Sequence, residues 1–126
     1  MKSRDTLMRS KRFEANETAR KVGDLEHMIR EFEQMAIDLD RQISAEEDRT
    51  GVKDAGHFAY STFAKAASQR RMNLKASIEG LAAKLDAAVR ERDAAQADLA
   101  AAAIPDPREM DRGRRRMDRP STATMR

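Results

Sequence analysis

The chain has 126 residues, of which 40% are hydrophobic, 37% are charged and only 4% are aromatic. This composition allows one small domain at most and provides little material for a globular core. The chain has no cysteine, which excludes disulfides and thiolate zinc sites. No apolar run approaches the roughly 20 residues that a membrane span needs. We therefore expect a cytoplasmic protein.

Charge is distributed unevenly along the chain. Residues 1–50 carry 10 basic and 12 acidic side chains, residues 51–103 carry 8 and 6, and residues 104–126 carry 7 and 4. The two longer segments are opposite in net sign, which suits two helices that lie against each other. The excess positive charge is concentrated at the C-terminal end.

The first half of the chain contains a heptad stripe whose members are spaced alternately three and four residues apart. Ten of its eleven positions, all but Lys11, hold apolar residues or threonine: Met8, Lys11, Ala15, Thr18, Val22, Leu25, Ile29, Phe32, Ala36, Leu39 and Ile43. A stripe of this period predicts a long amphipathic helix, which we place at about residues 3–50.

The second half contains a stripe of the same period and nearly the same length. Its members are Tyr60, Ala64, Ala67, Arg71, Leu74, Ile78, Leu81, Leu85, Ala88, Arg92, Ala95, Leu99 and Ala102. We place the second helix at about residues 57–103, and each stripe-bearing stretch of about 45 residues would be on the order of 65 to 70 Å long. Arg71 and Arg92 are polar members that are expected to fix the register.

Between the stripes, residues 51–56 interrupt the helical pattern. Gly51 fits the left-handed position that ends a helix, and Asp54 fits the capping position that begins one. Because each narrow apolar stripe must be buried, a short break folds the helices back on each other. The sequence therefore predicts an all-α fold, an antiparallel coiled-coil hairpin over residues 1–103. Pro105 and Pro107 end the second helix, and residues 104–126 are predicted to form a basic, mostly disordered tail.

The register of the hairpin can be estimated by matching the two stripes. If partners have numbers that sum to about 106, apolar residues face each other in four pairs: Phe32 with Leu74, Ile29 with Ile78, Leu25 with Leu81 and Val22 with Leu85. The same register brings Glu14 near Glu91, a pair of like charges.

Catalysis is not expected, because a pair of helices has no interior in which reactive groups converge in a sheltered pocket. His27 and His57 are isolated, whereas a zinc ion needs three or four ligands. The sequence has no glycine-rich phosphate loop and no nucleophile elbow. We therefore predict no catalytic residues, no cofactor and no metal site.

Several apolar residues are not explained by the two stripes and are candidates for partner binding. Phe13 falls on the outer face of the first helix, and two further residues fall at equivalent flank positions at the same level, Ile37 and Met72. The alternative is that they are ordinary exposed apolar residues. A second cluster follows the turn and is expected to cap the end of the hairpin, with partner binding as the alternative: His57, Phe58, Tyr60 and Phe63.

The basic tail has two interpretations as well. Arginine clusters bind nucleic acid or anionic membrane surfaces by releasing counterions. Against that, four acidic residues dilute the positive charge and no aromatic residues are present to stack on bases. A solvated tail is the preferred interpretation, and nucleic acid is not the expected partner.

The segment that follows the turn, HFAYSTFAKAASQRRMNL at residues 57–74, resembles the alphaproteobacterial branch of the flagellar export protein FliJ family. The opening MKSRDTL, the triplet at residues 11–13 and the stretch at residues 28–36 are also similar to that family. Ser61 stands where related sequences often have proline, which leaves the start of the second helix open. The resemblance extends over roughly residues 1–100, and residues 57–74 carry its weight because heptad periodicity does not dictate their identity.

The resemblance implies a soluble part of the flagellar type III export apparatus, folded as an antiparallel coiled coil similar to the central stalk of rotary ATPases. It implies three partners: the hexameric export ATPase, the membrane export gate and the export chaperones. It also implies peripheral association with the inner membrane at the flagellar base. Two alternatives remain open: a general coiled-coil scaffold or adaptor, and a binder of nucleic acid or membrane surfaces that acts through the tail.

Overall fold

A computed structural model describes residues 2–105 as two α-helices, with no strand in this part of the chain. Helix α1 spans Lys2–Thr50 and helix α2 spans Thr62–Ala103. Neither helix contains proline, and α2 ends just before Pro105, whose ring disfavours helical geometry at the preceding residue. Asp5 in the first turn of α1 and Arg49 in its last turn both complement the helix dipole. The two helices pack against each other, as the sequence predicts.

The described residues divide into two compact units, one formed by residues 2–16 with 93–105 and the other by Glu17–Arg92. In the first unit the buried residues are Ala15 and Ala95, and the Lys11 ammonium lies 3.7 Å from the Asp98 carboxylate. In the second unit the buried residues are Val22, Ala64, Ala67, Leu81 and Ala88.

The predicted heptad stripes are the residues along which the helices meet. Every predicted position on both stripes is buried or half-buried, with the single exception of Arg71. Arg71 is exposed and forms an ion pair with Asp40 on α1. Among residues 3–105 most of the buried side chains are alanines, and no large side chain is fully enclosed. The larger stripe residues therefore keep part of their apolar surface in contact with solvent.

The register differs from the one expected from the sequence. Three ion pairs between the helices join Lys11 to Asp98, Lys21 to Glu91 and Asp40 to Arg71, so the paired numbers sum to 109, 112 and 111. The predicted sum of about 106 is wrong, because it is three to six residues lower than these sums, a shift of one to two helical turns. The observed register gives Glu91 a lysine partner at 3.4 Å in place of the expected neighbour Glu14. Replacing a like-charge pair by an ion pair favours this alignment.

Helix α2 begins at Thr62 rather than at residue 57, so the connection is the eleven-residue segment 51–61, which we call the turn loop. Asp54 does not cap the helix. Its side-chain Oδ1 accepts a hydrogen bond of 2.9 Å from the Gly56 amide, which places it in a local Asx turn. The cap of α2 is Ser61, whose Oγ accepts a hydrogen bond of 3.2 Å from the Ala64 amide.

Neither helix has an apolar stretch of the length and hydropathy required to cross a membrane, as far as the described residues extend. The basic tail predicted at residues 104–126 begins with Ile104 and Pro105, and its remaining residues, 106–126, lie outside the described part of the chain.

Candidate protein-binding site at the turn loop

The turn loop begins at a glycine whose backbone geometry ends α1. Gly51 has φ of 74°, and its amide donates a hydrogen bond of 2.9 Å to the Glu47 carbonyl. A left-handed residue at this position is the commonest way for an α-helix to stop, as the sequence predicted for Gly51. The Val52 amide then donates to the Thr50 hydroxyl at 3.3 Å, which fixes the exit of the chain.

Two consecutive tight turns form the middle of the loop. The His57 amide donates to the Asp54 carbonyl and the Tyr60 amide donates to the His57 carbonyl, each at 3.0 Å. The ring of His57 also takes part, because its Nδ1 accepts a hydrogen bond of 3.0 Å from the Ala59 amide. These local hydrogen bonds hold the loop backbone in one conformation.

Two side chains at the end of the loop tie it to the last turns of α1. The Tyr60 hydroxyl donates to Glu47 Oε2 at 2.9 Å, and the Ser61 hydroxyl donates to Glu46 Oε1 at 2.8 Å. Arg49 donates to the same Glu46 carboxylate from one turn away, with Nε at 3.0 Å from Oε2. Glu46 therefore joins the end of α1 to the cap of α2.

The protonation of these groups reflects their hydrogen bonds. The bond from Arg49, followed by that from Ser61, lowers the pKa of Glu46 from 4.5 to about 2. The hydrogen bond that Tyr60 donates to Glu47 raises the pKa of Tyr60, because the phenol must keep its proton to make the bond. Both groups thus keep the charge state that the tether requires at neutral pH.

The aromatic residues of the loop do not cover the end of the hairpin. Phe58 is 96% exposed and its ring stacks on His57, with centroids 4.6 Å apart and an interplanar angle of 25°. Phe63 is 54% exposed at the start of α2. Of the four predicted cap residues only Tyr60 folds back, and it is half-buried. The expected cap is therefore wrong for Phe58, Phe63 and the exposed His57.

The other candidate residues are exposed, as the sequence indicated. Ile37 and Met72 are 45% and 62% exposed in the Glu17–Arg92 unit, where their numbers place them at the same level of the helix pair. Phe13 is 66% exposed and belongs to the other unit. None of the three lies in the turn loop.

The charge around the turn loop is acidic. Residues 46–54 contain four carboxylates and two basic side chains. Both basic groups are already engaged, since Arg49 pairs with Glu46 and Lys53 lies 3.6 Å from Asp48. An aromatic side chain held by a fixed loop loses little conformational entropy on binding. The arrangement suits insertion of Phe58 into an apolar pocket with a basic rim.

Comparison of the chain with models of protein families, with characterised proteins and with solved structures finds no match.

Proposed function

We propose that the protein is a soluble, non-enzymatic component of the flagellar type III protein export apparatus. In this role it connects the hexameric export ATPase with the membrane export gate and with export chaperones, from the cytoplasmic side of the inner membrane at the flagellar base. The resemblance of residues 57–74 to the FliJ family is the reason for naming this pathway.

A binding role is supported by the solvent exposure of Phe58, whose side chain is 96% exposed. The turn loop that carries it is held to α1 by the hydrogen bonds that Tyr60 and Ser61 donate to Glu47 and Glu46. Phe58 lies within the segment that resembles the family, and packing between the helices gives no reason for an aromatic side chain at this position. Buried aromatic anchors dominate the energetics of many protein interfaces. We therefore assign the turn loop as the surface that engages a partner of the export apparatus.

The pathway is tested by deleting the gene and measuring swimming and filament export. We expect both to be abolished or strongly reduced and to be restored by the wild-type chain. A deletion strain that swims and exports filament subunits normally would remove the flagellar assignment.

The site is tested with Phe58→Ala in the full chain, by measuring capture of the purified export ATPase and the cytoplasmic part of the export gate. We expect at least one of these interactions to weaken by roughly thirtyfold, as for an aromatic anchor worth about 2 kcal/mol. Ile104→Ala, at a position 71% exposed outside the turn loop, is the matched control and should bind normally. If the wild-type chain binds neither protein, a general scaffold becomes the better description.

A further inference from the structure

Two methionines on one flank of α1 keep much of their apolar surface exposed beside the packed face of the helix. Met28 and Met35 are 40% and 50% exposed, and each directly precedes a residue of the heptad stripe. They are seven residues apart, so they lie on the same side of the helix. We call this side of the Glu17–Arg92 unit the methionine flank.

The methionine flank contains two open grooves between α1 and α2. The first has a volume of about 740 Å³ and includes Leu25 and Met28 on α1 with Lys84 and Ala87 on α2. The second has a volume of about 540 Å³, and its lining includes Phe32, Met35, Leu39, Arg70 and Leu74. Both grooves thus have apolar floors built from methionine and from half-buried stripe residues.

Such floors are the surface against which a third helix packs in a helical bundle. Leu25, Phe32, Leu39 and Leu74 are only half-buried by the two helices, and each of them lines one of the two grooves. Amphipathic helices bind apolar grooves of this kind through residues at three- and four-residue spacing. Methionine side chains adapt easily to the shape of such a ligand.

The two rims of the methionine flank carry opposite charge. The α1 rim has an acidic residue at every seventh position: Glu17, Asp24, Glu31 and Asp38. Two basic residues of α1, Arg20 and Lys21, also line the first groove, and each forms an ion pair with a glutamate. The α2 rim has two basic residues that line the grooves, Arg70 and Lys84. Within residues 3–105, Asp24, Arg70 and Lys84 form no ion pair, so these charges are available to a partner.

From these features we infer that the methionine flank docks an amphipathic helix from a protein partner. The docking helix has an apolar stripe over the grooves, basic residues along the edge that faces α1 and acidic residues along the edge that faces Arg70 and Lys84. The grooves extend along α1 from Glu17 to Gln42, so a helix of about 25 residues, roughly 37 Å long, matches them.

A second copy of the chain fits this surface poorly. In a two-fold arrangement that sets Met28 against Met35, Glu31 comes within one residue of its own copy and Asp24 comes within one residue of Asp38. Like charges directly opposite each other disfavour such a contact. The same acidic rim disfavours an anionic membrane. The inference concerns a surface other than the turn loop, and it does not depend on the proposed flagellar role.

The probe is a designed peptide of about 24 residues with leucine in heptad spacing, lysine along one edge and glutamate along the other. Its matched control, the exchanged peptide, has the same composition with half of the lysines and half of the glutamates exchanged between the edges, so that both edges carry mixed charge in either direction of docking. Binding of each peptide to the full chain is measured by fluorescence anisotropy. We expect the first peptide to bind and the exchanged peptide to bind about tenfold more weakly or not at all.

The position of the peptide is tested with the double variant Met28→Gln and Met35→Gln, which keeps side-chain length and helix propensity. We expect this variant to weaken binding about tenfold, whereas Met72→Gln on the outside of the other helix changes it by less than about twofold. A benzophenone group in the peptide stripe should label Met28 or Met35.

Four results would overturn the inference. The first is equal binding of the two peptides, and the second is labelling that avoids Met28 and Met35. The third is self-association of the wild-type chain that is lost in the double variant. The fourth is binding of the wild-type chain to phosphatidylglycerol vesicles that is lost in the double variant. The third result would identify the occupant as a second copy, and the fourth would identify it as a membrane.

Discussion

Glu46 is the residue at which α1, the turn loop and α2 are joined. Its carboxylate accepts hydrogen bonds from Arg49 and Ser61, and its side chain is only 16% exposed. Arg49 on α1 and Ser61 at the end of the turn loop therefore both depend on one ionised side chain.

The lowered pKa of Glu46 makes a testable link between pH and stability. Because its pKa falls from 4.5 to about 2 on folding, its contribution is fully present above about pH 4.5 and is lost as the pH falls towards 2. We expect Glu46→Gln to be less stable than the wild type at pH 6 and the difference to narrow on acidification. Urea unfolding at a series of pH values measures this difference.

An independent check follows the Glu46 carboxyl itself by NMR titration. Because Arg49 is the largest cause of the shift, Arg49→Met should move the pKa of Glu46 back towards 4.5. Two results would contradict the role of Glu46 as the ionised residue that joins the helices. One is a difference in stability between the wild type and Glu46→Gln that stays constant from pH 6 to about pH 2, and the other is a pKa of Glu46 that Arg49→Met leaves unchanged.

Gly51 shows how backbone conformation ends an element. Its φ of 74° is unfavourable for any residue with a Cβ, although nothing lies within 4 Å of where a Cβ would be placed. Gly51→Ala should therefore destabilise the chain by about 1 to 2 kcal/mol through the backbone alone. Gly23→Ala is the matched control, since Gly23 also has open space around it but lies inside α1.

We expect Gly23→Ala to stabilise the chain by about 0.5 to 1 kcal/mol, because alanine restricts the unfolded chain and favours helix. Thermal unfolding of both variants gives the comparison. Equal effects of the two substitutions would show that the left-handed conformation of Gly51 is not what ends α1.

The register of the helices is tested by the pair Lys21 and Glu91, whose charged atoms are 3.4 Å apart. Both side chains are more than half exposed, so a double-mutant cycle should give a coupling of about 0.2 to 1 kcal/mol that weakens at high salt. In the register expected from the sequence, Lys21 lies beside Leu85 and no coupling with Glu91 would be found.

The sequence predicted the faces of the helices better than their alignment. The stripes are unambiguous because a period of 3.5 residues separates the packed face from the solvent face, and only Arg71 departs from the prediction. The alignment is harder because two repeating stripes match apolar to apolar at several offsets. The choice among offsets depends on flank pairs such as Lys21 with Glu91, whose contribution is small and local.

The start of α2 was missed for a related reason. Gly51, Asp54 and Gly56 are strong turn signals, and they suggested a short connection that ends at residue 56. Asp54 uses its side chain inside the loop, and the capping role passes to Ser61. The available signal was the serine itself, which stands three residues before the stripe member Ala64, a spacing that suits an N-cap.

At the scale of the whole molecule, stability depends on many small contacts rather than on a thick core. Leu81 is the largest of the buried side chains among residues 3–105, at 8% exposure. Leu81→Ala should destabilise the chain by about 2 to 3 kcal/mol, because it removes burial and leaves a gap between the helices. Denaturant unfolding followed by circular dichroism measures the change.

Met72→Ala is the control for that measurement, because Met72 lies on the same helix and is 62% exposed. It should change the free energy of unfolding by less than about 0.5 kcal/mol. Similar decreases in the free energy of unfolding for Leu81→Ala and Met72→Ala would mean that the helices meet along a different face from the heptad stripes.

The tethers from Tyr60 to Glu47 and from Ser61 to Glu46 bear on the route by which the chain folds. They close segments of only 13 and 15 residues, whereas the pair Lys21 and Glu91 closes one of 70. The shortest closure is favoured over the longest by about 1.5 kcal/mol of chain entropy. We therefore expect the helices to pair first beside the turn loop and the pairing to extend from there towards the chain ends. Substitutions at Tyr60 or Ser61 should then slow refolding, whereas substitutions at Lys21 should mainly speed unfolding.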